Sequence, residues 1–194
     1  MSAYLPAWPW ALLAVSVVIA AVTDLRCGKV FNWLTYPMIL VGVFAHAVLG
    51  GWGGGSALDP KIGVLGSLLG ILWCWPLFAA WMMGGIGGGD VKLQAGVGAL
   101  AGWAFAMSVL FYGMIAAAVL ALIVMIYRRR TKRTFGRVFR FLALAAVKAR
   151  PADPAAPDSP TIPFAFAMCL GTVAAGVEWF VTGEFADYVP QLFT

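Results

Sequence analysis

Five long stretches of this sequence contain no charged side chain, and this feature limits the possible folds more than any other. The stretches are residues 1–23, 33–58, 62–89, 93–127 and 159–177. A helix needs about 20 predominantly apolar residues to cross the hydrocarbon core of a bilayer. The stretches are continuously apolar rather than alternating, which favours helices over a β-barrel. The sequence therefore predicts an all-α, polytopic membrane protein.

The composition supports this class and excludes several others. The chain is 62% hydrophobic and 11% charged, whereas a soluble domain has about 25% charged residues. A secreted disulfide scaffold, a disordered chain and a nucleic-acid-binding protein are excluded. The three cysteines, Cys27, Cys74 and Cys169, are odd in number and far apart, which argues against disulfide or metal use. We expect neither a metal nor an organic cofactor.

The positions of the basic residues predict the orientation of the spans. Nine of the 13 lysines and arginines lie between residues 128 and 150. The positive-inside rule places the loops 24–32, 84–92 and 128–160 in the cytoplasm. The loops 84–92 and 128–160 can both face the cytoplasm only if an even number of spans separates them. We therefore expect 93–127 to form two short helices that turn near Gly102–Trp103, which gives about six spans with both termini outside.

The domain organisation follows from the same pattern. Residues 1–194 are expected to form a single membrane-embedded domain with a cytoplasmic basic loop at 128–160. Within that loop, residues 132–149 mix basic and apolar side chains. The uncharged part of this segment is too short to cross the bilayer. This segment is expected to lie on the inner leaflet.

Two of the eight acidic residues differ from the rest. Six are interpreted as loop, tail or interface charges: Asp59, Asp153, Asp158, Glu178, Glu184 and Asp187. Asp24 ends the first span and Asp90 follows the third, so the span count puts both at the cytoplasmic side. Each has an ordinary alternative: Asp24 as a boundary charge, and Asp90 as the N-cap of a helix that starts at Val91. Together they predict a pair of carboxylates at one membrane depth.

Such a pair has a defined chemistry. Two carboxyl groups a few ångströms apart hold one proton between them, because two like charges at that distance are costly. The ionised group can activate a water molecule while the protonated group polarises a carbonyl, which is aspartic peptide hydrolysis. The glycine-rich run before Asp90 leaves room for a substrate backbone.

Three motifs resemble those of a known family. GGGD followed by VKL resembles the GxGD signature of the membrane-embedded aspartyl prepilin peptidases, with Gly87, Gly89 and Asp90 in the pattern. DLRCGKVFNWLT, which starts at Asp24, is similar to that family's Asp, short basic loop and PNxLT-like segment, with Phe31 where Pro is common. TIPFAFAMCLG at 161–171 resembles the beginning of the family's last span.

The resemblance implies a site and a reaction. It implies that Asp24 and Asp90 are the catalytic pair. Gly87, Gly89, Asn32 and Lys92 are expected to bind substrate or support the site, although Lys92 lies on a different helix face from Asp90. The implied substrate and partner is a pilin-like precursor with a basic leader and a hydrophobic helix. Cleavage is expected at the cytoplasmic face of a bacterial inner membrane.

The cysteines separate two forms of the family. Some members carry a four-cysteine cytoplasmic domain and N-methylate the new terminus. This chain has no such cysteine set, and it resembles the short Tad/CpaA-type form that serves Flp pili. The family also includes archaeal preflagellin peptidases.

Other interpretations stay open from the sequence. Intramembrane carboxylates and glycine-interrupted helices also occur in ion-coupled small transporters, and a non-catalytic subunit of a pilus-assembly machine is a third reading. His46 is interpreted as a satisfied packing residue, and Trp81, Met82 and Met83 as lipid-facing or packing residues.

Overall fold

The computed structural model describes residues 7–50, 63–127 and 163–183 of the chain. The predicted cytoplasmic loop at 128–160, with its interfacial segment, falls outside these residues. So do five of the acidic residues interpreted as loop or tail charges, namely Asp59, Asp153, Asp158, Glu184 and Asp187. All structural statements below concern the described ranges.

Nearly all of the described residues are helical, and no strand occurs among them. The helices are α1 Ala7–Cys27, α2 Asn32–Gly50, α3 Val64–Leu72, α4 Trp75–Met82, α5 Gly88–Tyr127 and α6 Phe164–Thr182. α3 and α4 are one apolar stretch interrupted at Trp73–Cys74, because Pro76 in the first turn of α4 lacks the amide that a continuous helix requires. Five stretches are long and apolar enough to cross a bilayer. The prediction of an all-α, polytopic membrane protein is confirmed.

The longest helix, α5, folds back on itself at Gly102. Gly102 has φ 80° and ψ 177°, a conformation that is essentially restricted to glycine. The side-chain amide of Gln94 donates a hydrogen bond of 2.8 Å to the carbonyl of Ala106, 12 residues later. In a straight helix these positions would be about 18 Å apart. The reversal predicted near Gly102–Trp103 is confirmed, and the arm before it is only about 21 Å long.

Glycines let the helices approach at backbone distance. A methyl group on Gly98 of α5 would overlap the backbone of Gly70 in α3, and one on Gly42 of α2 would overlap the backbone of Ala99. On the other side of α5, Gly113 lies against Gly171 of α6. Small residues at helix crossings are typical of membrane bundles, where close van der Waals packing replaces the hydrophobic effect.

Large apolar side chains cover the outside of the bundle. Trp81, Met82 and Met83 are exposed on the protein surface, as are Leu40 and Phe44 of α2. In water such a surface would cause aggregation, whereas in lipid it is the expected exterior. The exposure of Trp81, Met82 and Met83 agrees with their interpretation as lipid-facing or packing residues.

His46 is a buried connector between three parts of the fold. Its Nδ1 accepts a hydrogen bond of 3.2 Å from the amide of Gly63, so Nε2 carries the proton and donates to the carbonyl of Leu100 at 3.3 Å. The hydroxyl of Ser67 donates to the neighbouring carbonyl of Ala99 at 3.0 Å. The predicted packing role of His46 is confirmed, since both ring nitrogens are used to join α2, α3 and α5.

Candidate active site

A cavity of about 340 Å³ opens where the end of α1, the α1–α2 turn and the beginning of α5 meet. Its lining consists of Asp24, Gly28, Lys29, Val30, Phe31, Asn32, Gly87, Gly88, Gly89 and Asp90. Asp24 and Asp90 therefore line one cavity, although 65 residues lie between them in the sequence. Gly87, Gly89 and Asn32 line the same cavity, and Lys92 lies beside it.

Asp24 is held by contacts on both its backbone and its side chain. It lies in the last turn of α1, where the amide of Gly28 donates a hydrogen bond of 2.8 Å to its carbonyl. Gly28 has φ 63°, the left-handed conformation that ends many helices. The Oδ2 atom of Asp24 accepts a hydrogen bond of 2.8 Å from the backbone amide of Ala165 in α6. Asp24 is only 9% exposed, and it lines the cavity.

Asp90 lies within the first turn of α5 rather than before it. The helix begins at Gly88, and the amide of Asp90 donates a hydrogen bond of 3.1 Å to the carbonyl of Gly87. The alternative interpretation, in which Asp90 caps a helix that starts at Val91, is wrong because the helix begins two residues before Asp90. A negative charge is favoured in the first turn of a helix, and this position leaves the side chain to face the cavity.

The glycines before Asp90 bring the two halves of the site together. A methyl group on Gly89 would lie 3.0 Å from Cβ of Val30 and 3.1 Å from its carbonyl oxygen. A methyl group on Gly87 would lie 3.2 Å from Oδ2 of Asp90. The α1–α2 turn therefore packs directly on the backbone of α5, which brings Asp24 and Asp90 to one cavity.

Lys92 connects α5 to α2 at the edge of the cavity. Its Nζ donates hydrogen bonds of 2.9 Å to Oδ1 of Asn32 and 3.0 Å to the hydroxyl of Tyr36, and it lies 4.9 Å from the centre of the Tyr36 ring. The charge is directed to α2, as expected for a residue on a different helix face from Asp90. Tyr36 was not identified from the sequence, although it follows Asn32 by four positions and so shares its helix face.

Several residues at the site were not predicted from the sequence to belong to it. Val30, Phe31 and Lys29 line the cavity, and Ala165 contacts Asp24. The motif TIPFAFAMCLG contains Ala165, but nothing in it indicates which residue of α1 it meets. Among the residues that the structure describes, no three histidine, cysteine or acidic side chains come together, and the three cysteines are free thiols.

Glu178 lies near the end of α6 and is half-buried. Its Oε2 atom is buried without a hydrogen-bond partner, and its carboxyl group lies near the side chain of Tyr112 in α5. The expectation that Glu178 reaches the membrane interface stays a prediction.

The comparisons with known proteins agree with the motifs. Residues 11–122, more than half of the chain, match the model of the family Peptidase_A24, described as the type IV leader peptidase family. Two proteins named prepilin leader peptidase/N-methyltransferase, from Burkholderia pseudomallei strains 1026b and K96243, are each 30% identical to the chain over 119 residues. The match covers 58% of this chain and 34% of each relative, so the chain spans about a third of their length. No solved structure matches the chain.

Proposed function

Because this chain belongs to the type IV leader peptidase family, we propose that it is a membrane-embedded aspartic endopeptidase that removes the leader from type IV pilin-like precursors. The observation that carries the proposal is the shared cavity of Asp24 and Asp90. Two acids that face one water-accessible cavity in an otherwise apolar bundle are what aspartic hydrolysis requires.

The two carboxyl groups and one water molecule account for the reaction. The ionised carboxylate takes a proton from the water as its oxygen attacks the scissile carbonyl carbon, while the protonated carboxyl donates a hydrogen bond to the carbonyl oxygen. The tetrahedral intermediate then collapses as a proton passes to the leaving amine, and the C–N bond breaks. One carboxyl is again protonated and the other ionised, so the pair is ready for the next turnover.

The substrate is proposed to be an Flp-type pilin precursor with a basic leader and a hydrophobic helix. Its scissile bond must unwind at the cavity, because a helix hides its carbonyls in hydrogen bonds. The distribution of lysines and arginines supports a cavity that faces the cytoplasm, and the membrane is then the inner membrane of a bacterium.

The decisive test is shortening of a precursor in cells. We expect an Flp-type precursor to lose its leader when it is co-expressed with this protein, and mass spectrometry of the product should find one new N-terminus. The control is co-expression of the precursor with an empty vector in place of the vector that encodes this protein. If the precursor keeps its full mass while the protein accumulates in the membrane, the peptidase proposal is wrong. The hypothesis of a transporter or of a pilus-assembly subunit then replaces it.

Gly89 is proposed to support the site by allowing the α1–α2 turn to lie on α5. Gly89→Ala should lower the cleavage rate by about 10-fold, because a shift of a few tenths of an ångström between Val30 and Gly89 also shifts the two acids. The measurement is the initial rate of precursor shortening at matched protein levels.

The matched control for Gly89 lies in the same glycine-rich run. A methyl group on Gly85 would lie 3.4 Å from the carbonyl of Ala80, which is ordinary van der Waals contact, so Gly85→Ala should cleave at near the parent rate. Equal rates for the two variants would contradict the role proposed for Gly89. Gly87 is proposed to act similarly, by leaving space for the carboxylate of Asp90.

Lys92 and Asn32 are proposed to hold the beginning of α5 against α2. Lys92→Met should lower the cleavage rate by about 3- to 10-fold, since it removes two hydrogen bonds from a charged donor at an exposed position. Lys92→Arg keeps the charge and the donors and should retain most of the rate. The measurement is precursor shortening, with membrane levels determined in parallel.

A double-mutant cycle tests whether the Lys92–Asn32 contact is responsible. If it is, adding Asn32→Ala to Lys92→Met should cost little more than Lys92→Met alone. Multiplicative losses for the two changes would show that Lys92 acts through something other than Asn32.

A further inference from the structure

The first turn of α6 contacts the carboxylate of Asp24, although Ala165 lies 141 positions after Asp24 in the sequence. The backbone amide of Ala165 donates a hydrogen bond to Oδ2 of Asp24 at 2.8 Å. Ala165 is completely buried. Because the donor is a backbone amide, no side-chain motif in the sequence indicates it.

The contact follows from how α6 begins. Its N-cap is Pro163, which provides no side-chain hydrogen bond to the helix. The first amides of a helix have no acceptor within it, and a buried amide without an acceptor is costly. Asp24 provides that acceptor from another helix.

The packing of α6 fixes where these amides lie. Gly171 meets the backbone of Gly113, and Met168 packs on the same glycine. Two turns further, the ring of Trp179 packs edge-on against Phe105 with centroids 5.1 Å apart. Because the α5–α6 crossing has no room for a shift, the amide of Ala165 is a rigid donor.

A rigid donor matters because the carboxylate of an aspartate rotates easily about its last side-chain bond. On the basis of the proposed function, we propose that the backbone amide of Ala165 is a positioning group for the reaction, which holds the Asp24 carboxylate in the orientation that faces Asp90 across the cavity. The beginning of α6 is then part of the active site, although it contributes no reacting atom.

Replacing one amide by an ester tests this directly. The full chain is made by cell-free synthesis into lipid nanodiscs, with lactic acid at position 165, which replaces the N–H by oxygen and keeps the methyl group. The control carries phenyllactic acid at position 164, the same backbone change one residue earlier. We expect the ester at 165 to lower kcat for an Flp-type precursor by about 10- to 100-fold, as for loss of a hydrogen bond to a charged group, with KM within about twofold.

The outcomes separate this inference from the proposed function. If the all-amide parent does not shorten the precursor, the proposed function is wrong and the positioning role goes with it. If the parent cleaves and the two esters have equal kcat, or if the ester at 165 changes only KM, the positioning role alone is wrong. The same comparison can be made in cells with two substitutions. Ala165→Pro also lacks the amide and is tolerated in a first helical turn, whereas Ala165→Gly keeps the amide.

Discussion

Asp24→Asn and Asp90→Asn should each abolish precursor cleavage while the protein still accumulates in the membrane. An amide has the size of a carboxylate but cannot take or supply the proton, and loss of general acid–base function typically costs about 10²–10⁴ in rate. At that level only unprocessed precursor should be visible on a gel. Asparagine is preferable to alanine at position 24, because its side-chain oxygen can still accept the hydrogen bond from Ala165.

Two acids with no proposed catalytic role provide matched controls. Asp59→Asn changes an acid interpreted from the sequence as a loop charge, and Glu178→Gln keeps the size of a half-buried side chain of α6. Both should process the precursor at near the parent rate when membrane levels are matched. Near-parent cleavage by either Asp24→Asn or Asp90→Asn would show that the mechanism is not that of an aspartic peptidase.

Gly98→Ala should prevent the bundle from closing. The added methyl group would overlap the backbone of Gly70, and a backbone cannot move aside as a flexible side chain does. Overpacking usually costs about 1–3 kcal/mol, and we expect the upper end or more here because α3 must separate from α5. The measurement is the fraction of monodisperse protein after detergent extraction, together with its thermal unfolding temperature.

The control is a glycine in a helix with free space around it. A methyl group on Gly176 of α6 would have no neighbour within 4 Å, so Gly176→Ala should be neutral or should stabilise the helix by about 0.5–1 kcal/mol. If Gly98→Ala unfolds at the same temperature as Gly176→Ala, the close crossing of α3 and α5 does not exist in the folded protein.

The membrane spans and the α5 reversal could be predicted from the sequence because both depend on properties that run along the chain. A bilayer accepts only helices of sufficient apolar length, and charges mark where they end. An even number of spans between two basic loops required a turn inside 93–127, and Gly102 provides it. Asp24 and Asp90 stood out for the same reason, since charges are rare at membrane helices.

The partners of these residues depended on the tertiary structure. Lys92 meets Asn32 and Tyr36, and Asp90 lies inside a helix that begins at Gly88. Each outcome depends on how far a helix is rotated and shifted against its neighbour. That rotation is set by glycine contacts between segments distant in sequence, such as Gly98 with Gly70. The acceptor for the Ala165 amide is decided in the same way, because a backbone donor is identical at every residue except proline and only packing selects the one that meets Asp24.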